Sequence, residues 1–69
     1  MKTTYKYIEF IHKDPIWQCR NRKRGELLLG TVEWYPLWQQ YCFFPFYDMV
    51  FNKTCLDDIS HFLSQCNDC

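Results

Sequence analysis

The sequence lacks the motifs on which most enzymes depend. It has only two glycines in 69 residues, which excludes a glycine-rich loop of the kind that cradles phosphate. It contains no HExxH metal motif, no nucleophile elbow and no Ser-His-Asp cue. No apolar run approaches the ~20 residues of a membrane helix, and the N-terminus MKTTYKYIEF lacks the apolar region of a signal peptide. We therefore expect a non-enzymatic protein of the cytoplasm.

The formal net charge is zero, yet the basic and acidic residues are unevenly distributed along the chain. Residues 1–24 hold seven bases and two acids, and residues 25–69 hold one base and six acids. A general nucleic-acid coat would carry a clear basic excess, so long nucleic acid is not an expected partner. The asymmetry allows a local basic patch or head-to-tail self-association.

The length predicts one domain over residues 1–69, since half that length could not support a core. Strand-forming residue types and turn signals predict strands at 4–12, 16–21, 26–35 and 38–44. Helical spacing of apolar residues predicts a helix at 53–66. The expected fold is α+β: an antiparallel sheet of four strands packed against one C-terminal helix.

Alternation along the third strand places Leu28, Gly30, Val32 and Trp34 on the core face. The absence of a side chain at Gly30 predicts a close approach of the helix there. The apolar stripe of the helix consists of residues that recur at helical spacing, namely Leu56, Ile59, Phe62, Leu63 and Cys66.

The start of the helix has a capping signal. Asn52 is a good N-cap. Phe51 directly precedes it and Leu56 lies four residues after it, which is the spacing of a hydrophobic staple.

Five cysteines raise the question of zinc. Cys66 and Cys69 have the two-residue gap of half a zinc site, and Cys55 lies about three helical turns before Cys66. A structural site needs four ligands, and no second spaced pair comes from the other candidates, which are Cys19, Cys42, His12 and His61. We expect Cys19, Cys42, Cys55 and Cys66 to be buried thiols, Cys69 to be an exposed thiol, and no cofactor; a small zinc-stabilised domain stays as an alternative.

Two other clusters are candidates for binding. Arg20, Arg22 and Arg24 surround a hairpin loop, where they either keep a sheet edge solvated or offer planar donor groups to phosphate or carboxylate.

The second cluster is the run Trp34–Tyr41, which interleaves rings and amides around a proline. Trp34 is expected in the core, whereas alternation does not allow Tyr35, Trp38 and Tyr41 all to follow it. Exposed rings there, with Gln40, suit either stacking on nucleotide bases or a protein interface.

The second half of the chain resembles a family of small, largely uncharacterised proteins of phages and bacterial mobile elements. The shared pattern is G-x-[IV]-x-W-Y-x-x-W-R-Q-Y-C-F-F-P, then V-F-N and C-L-x-D-I-x-x-F. The matching positions are Gly30, Trp34, Tyr35, Trp38, Gln40, Tyr41, Cys42, Phe43, Phe44, Pro45, Cys55, Leu56, Asp58, Ile59 and Phe62. Gln39 departs from the pattern, because the family commonly has arginine there. The resemblance implies a phage-type origin and, if so, the host cytoplasm.

By analogy with other compact phage proteins, the expected function is antagonism of host defence. The protein would be a homo-oligomer that sequesters a nucleotide-derived signal, with bases on Tyr35, Trp38, Gln40 or Tyr41 and phosphates on Arg20, Arg22 or Arg24. The alternative is an inhibitor or adaptor that binds a host protein through the same rings.

Overall fold

A computed structural model describes residues 1–24 and 27–68 of the chain. Its elements are β1 (Ile8–Lys13), β2 (Ile16–Asn21), β3 (Leu28–Tyr35), β4 (Gln40–Pro45) and α1 (Lys53–Asn67). The strands form one antiparallel sheet in the order β1-β2-β3-β4. The predicted α+β fold, with a four-stranded antiparallel sheet against a C-terminal helix, is confirmed.

The first strand is shorter than predicted because the N-terminal segment folds back on it. Thr4 bridges to Glu9, the Tyr5 N–H donates to the Ile8 carbonyl, and the Phe10 N–H donates to the Thr3 carbonyl. Residues 3–5 therefore cover the outer edge of β1, and the strand itself begins at Ile8. The other edge of the sheet is β4.

Short turns join the strands. The cis Asp14–Pro15 bond lies between β1 and β2, at the predicted turn. After β3 the chain turns through residues 36–39, where Gln39 has a φ of 51°. The strand predicted at 38–44 thus starts at Gln40, because Trp38 and Gln39 belong to the turn.

The third strand carries a β-bulge that simple alternation did not predict. Cys19 pairs with Gly30 and Arg20 pairs with Leu28, so Leu29 is the extra residue. Leu29 is buried, although strict alternation placed it on the outer face. Val32 is buried as predicted, but the prediction that Trp34 lies in the core is wrong, since this ring is 51% exposed. Its position near the end of α1 leaves it only partly covered.

Gly30 makes room for a ring rather than for the helix. A Cβ at this position would lie 2.6 Å from Phe43 Cζ and 2.6 Å from the Phe44 carbonyl oxygen, both on β4. The expected close approach therefore exists, but the neighbour is the adjacent strand.

The helix begins as predicted and extends one residue further. The Asn52 side chain accepts a hydrogen bond from the Cys55 N–H at 2.8 Å, which is the N-cap interaction. The staple is not the dominant contact, because Leu56 is 53% exposed and the Phe51 ring packs edge-to-face on Phe43. The buried helix residues are Cys55, Ile59 and Phe62.

The core lies between α1 and the face of the sheet that it covers. The Phe10 and Phe62 rings stack with centroids 3.9 Å apart, and Trp17 meets Phe62 edge-on. Cys19 and Val32 are fully buried beneath the helix. Within residues 1–24 and 27–68, no helix is long and apolar enough to cross a membrane.

Candidate binding surface

Three aromatic side chains line a hollow where α1 ends against the β3–β4 hairpin. We name the region formed by Trp34, Trp38 and Tyr41 the aromatic hollow; its volume is about 470 Å³, and Cys66 and Asn67 of the helix form its other wall. The Trp34 and Tyr41 rings are nearly perpendicular, at 79° with centroids 5.4 Å apart. Trp34 is 51% and Trp38 67% exposed, so two large indole rings are available at this end of the molecule.

Tyr35 lies on the other face of the sheet, as alternation requires. Its ring packs edge-on against the rings of Trp38 and Phe44, with centroids 5.1 Å and 5.9 Å apart. Of the predicted ring residues, Trp38 and Tyr41 thus share the aromatic hollow with Gln40, whereas Tyr35 supports Trp38 from behind. The prediction that some of these rings are exposed is confirmed for Trp38.

A second, shallow groove of about 570 Å³ continues from the hollow along the outer side of β4, lined by Tyr41, Phe43, Ser60, Leu63 and Asn67 among others. Asn67 closes the adjacent strand edge: its Oδ1 accepts from the Tyr41 N–H at 2.7 Å, and its Nδ2 donates to the Tyr41 carbonyl at 3.1 Å.

This contact also shows which backbone groups of β4 point away from β3. Residues of an antiparallel strand alternately point their polar groups toward and away from the partner strand. Because the groups of Tyr41 point outward, those of Phe43 do too, while Pro45 has no N–H to offer. The exposed edge of β4 is therefore short and partly blocked.

The three arginines of the predicted site lie at the end of β2 and in the loop that follows it, away from the aromatic hollow. Arg20 donates from Nη2 to Gln18 Oε1 at 2.7 Å, and Arg22 donates from Nη1 to the Tyr5 carbonyl at 2.8 Å. The backbone N–H of Arg24 donates to Asn21 Oδ1, which shapes the loop. Two of the three guanidinium groups are thus already engaged within the chain.

The arginines and the rings are not brought together. Arg20 pairs with Leu28 at the start of β3, and Trp34 and Tyr35 lie at its end. Seven residues of strand at 3.3 Å each span roughly 23 Å. Arg22 and Arg24 therefore lie at the end of the sheet opposite the aromatic hollow, whereas the Arg20 guanidinium reaches back along β2 to Gln18, which pairs with Thr31.

Among the described residues, burial shifts two titratable groups that lie in the core region, Cys19 and Tyr5. Burial, with a further contribution from Cys55, raises the pKa of the Cys19 thiol to about 12, so this thiol stays protonated at neutral pH. Burial, followed by the charge of Asp58, raises the pKa of Tyr5, whose hydroxyl lies 2.8 Å from His61 Nδ1. His61 is exposed, and its ring nitrogen Nδ1 is engaged in this hydrogen bond.

The thiols predicted to be buried divide into two groups. Cys19 and Cys55 are buried, as predicted, whereas the prediction is wrong for Cys42 and Cys66, which are only partly covered. Among the described residues, no group of three or more Cys, His, Asp or Glu side chains could hold a metal ion. Cys69, part of the predicted Cys66–Cys69 pair, lies outside the described residues.

Comparison with known proteins gave no match to a family model, to a curated protein or to a solved structure. The resemblance to phage proteins therefore stays a prediction. Sequence reasoning missed two residues of the surface, Trp34 and Asn67. Alternation alone predicts a core position for Trp34, and the length of α1 is the sequence feature that places Asn67 beside Tyr41.

Proposed function

We propose that the protein is a non-enzymatic module that binds a partner protein through the surface around the aromatic hollow. The observation that carries this proposal is the exposure of Trp34 and Trp38 on one side of the molecule, with Leu37 between them 80% exposed. Tryptophan leads the residue types that dominate interface energetics, and its removal from water on binding is strongly favourable.

The distribution of exposed apolar side chains supports a protein partner. Of the nine large hydrophobic side chains that are exposed in the described ranges, eight lie between residues 34 and 56. At about 200 Å² per ring, the two exposed rings of the hollow, Trp34 and Trp38, present roughly 240 Å² to solvent. The largest apolar patch of a monomer is typically ~300–600 Å², and a standard interface covers ~800 Å² per partner. The two indole rings would therefore form the apolar centre of an interface, and the surrounding surface would supply the rest of its area.

The test is capture of a partner from a lysate of the source organism by immobilised protein. Trp38→Ala should lose the captured protein, because truncation of a central interface tryptophan costs about 2 kcal/mol or more, roughly thirtyfold in affinity. Tyr47→Ala is the matched control, since this ring is 96% exposed but lines neither the hollow nor the groove. Equal capture by the Trp38 variant and the parent protein would refute the proposal.

A second candidate is sequestration of a nucleotide-derived signal by a phage-type antagonist of host defence. The observation in its favour is the mixture of rings and amides in one hollow, where Gln39 and Gln40 lie beside Trp34 and Trp38. Bases stack on such rings at roughly 1–3 kcal/mol each. Because the arginines lie at the other end, the phosphates would have to meet those of a second copy, so this function requires a homo-oligomer.

Calorimetry against cyclic di- and trinucleotides and ADP-ribose isomers, together with light scattering, tests the second candidate. Sequestration predicts stoichiometric heat from an oligomer, and the loss of that heat in Arg24→Ala. A monomer that gives no heat would leave the protein partner as the better proposal.

A further inference from the structure

We infer that the aromatic hollow binds an organic cation, of the chemical class of methylated ammonium groups. This inference rests on the proposed function and deepens it, because it names the group that the surface would recognise. The group could belong to a free small molecule such as choline or to a methylated lysine of a partner protein. Both present the same chemistry to the rings.

The first argument is the arrangement of the rings. An aromatic face attracts a cation whose centre lies within about 6 Å of the ring centroid, and tryptophan is the strongest such partner. Trp34 and Tyr41 form two walls at 79° to each other, and Trp38 lines the same hollow. Trp38 is also held nearly perpendicular to Tyr35, at 88°, which restricts its orientation. A cation in the hollow can therefore contact more than one ring.

The second argument is the electrostatic character of the wall opposite the rings. The hollow has no lysine or arginine among its lining residues. Cys66 and Asn67 belong to the last turn of α1, the negative end of the helix dipole, and that turn contains no basic residue. Asp68 lies next to it and lines the adjoining groove. A cation is favoured here, and a phosphate is not.

The third argument is that the cations of the chain itself are used elsewhere. Lys2 lies over the Tyr5 ring and Lys6 over the Tyr7 ring, at the β1 side of the sheet. The arginines lie at the far end of β3 from Trp34. In the described part of the chain, no cation–π contact involves the rings of the hollow, so these rings are open to an external cation.

The choice of a methylated ammonium follows from the openness of the site. The rings are only partly covered, with Trp38 67% exposed, so the hollow does not supply a full shell of hydrogen-bond acceptors. A bare ammonium is strongly hydrated, and on the side that touches a ring face it would exchange hydrogen-bonded water for a surface without acceptors. A methylated ammonium has little hydration to lose, and its apolar methyl groups fit against ring faces.

The test follows the indole N–H signals of the three tryptophans by NMR during titration. Tetramethylammonium and choline should shift the Trp34 and Trp38 signals saturably and leave Trp17, which packs in the core, unchanged. The neutral isostere 3,3-dimethylbutanol should bind at least about tenfold more weakly, because it lacks the charge that the rings attract. Equal binding of the neutral isostere, or no saturable shift with any of the cations, would overturn the inference.

Variants and peptides complete the design. Trp38→Ala should weaken binding roughly tenfold, Trp38→Phe less, and Tyr47→Ala not at all. If a trimethyllysine peptide binds at least tenfold more tightly than choline, the methylated group belongs to a partner protein. If the two bind equally, the ligand is a free small molecule. An unmodified lysine peptide that binds as tightly as the trimethylated one would count against the inference. Partner capture that depends on Trp38 without any cation binding would refute this inference alone, whereas failure of both would refute the proposed function as well.

Discussion

The side-chain amide of Asn67 joins the end of α1 to the outer edge of β4, and its removal should weaken that joint measurably. Asn67→Ala deletes two hydrogen bonds to Tyr41, of 2.7 and 3.1 Å. Each contributes about 1 kcal/mol net. Alanine is a better helix former than asparagine by roughly 0.6 kcal/mol, which offsets part of the loss. The expected net destabilisation is therefore about 1.5 kcal/mol.

Thermal unfolding followed by circular dichroism measures this effect. For a domain of this size, about 1.5 kcal/mol lowers Tm by roughly 6–12 °C. Ser64→Ala is the matched control, because Ser64 is an exposed helix residue in the same groove, and it should change Tm little. Amide exchange gives a local readout: the Tyr41 N–H should exchange faster in the Asn67 variant.

Two results would refute the reasoning about Asn67. One is a Tm equal to that of the Ser64 control. The other is an unchanged exchange rate at Tyr41, which would mean that the amide of Asn67 does not hold this backbone group. A loss of stability with unchanged exchange would indicate an effect on the helix terminus rather than on the edge of the sheet.

Three further predictions concern the fold. Gly30→Ala should destabilise by about 1–3 kcal/mol in urea unfolding, because the new methyl group meets both the Phe43 ring and a backbone carbonyl at 2.6 Å; a neutral result would contradict the close packing of the two strands. Asn52→Ala should cost about 1 kcal/mol and Asn52→Asp much less, since aspartate retains the acceptor for the Cys55 N–H; equal losses would exclude the cap. The folded Cys19 has a pKa of about 12 against an ordinary 9.0, so its contribution to stability is complete below pH 9 and is lost as the pH rises toward 12, by up to about 1.4 kcal/mol per pH unit. Urea unfolding between pH 8 and 11 should show this decline, and Cys19→Ala should make it shallower; an unchanged slope would contradict the role of Cys19.

The elements predicted well from the sequence are those set by local chemistry. The strand at Ile16–Asn21 and the N-cap at Asn52 depend on residues within a few positions of each other. The errors arise where distant segments decide the outcome. Residues 4–7 were predicted as part of the first strand but precede β1, because the chain folds back there and Thr4 bridges to Glu9 on the outer edge of β1.

The third strand shows why the burial of a side chain is harder to predict than the position of a strand. The bulge at Leu29 turns one extra residue toward the core, and the sequence carries no local signal for it. Trp34 follows the alternation correctly, yet it is half exposed because the helix ends beside it at Asn67. Burial at the end of a sheet depends on the reach of the covering element, which a strand pattern does not contain.

The candidate site was predicted as one surface because the rings and the arginines both suit recognition of a nucleotide. The fold places Trp34 and the loop that carries Arg22 and Arg24 at opposite ends of β3, which spans about 23 Å, and this separation changes what each half can do. At one end of the sheet, Arg22 donates a hydrogen bond to the Tyr5 carbonyl. At the other end, the described residues that line the aromatic hollow include no lysine or arginine. A ligand that needs both halves requires a second copy of the chain, whereas a cation or a protein partner requires only one. The oligomeric state at the concentration where binding is measured therefore discriminates between the two proposed functions: tight binding by a monomer is compatible only with the aromatic surface acting alone.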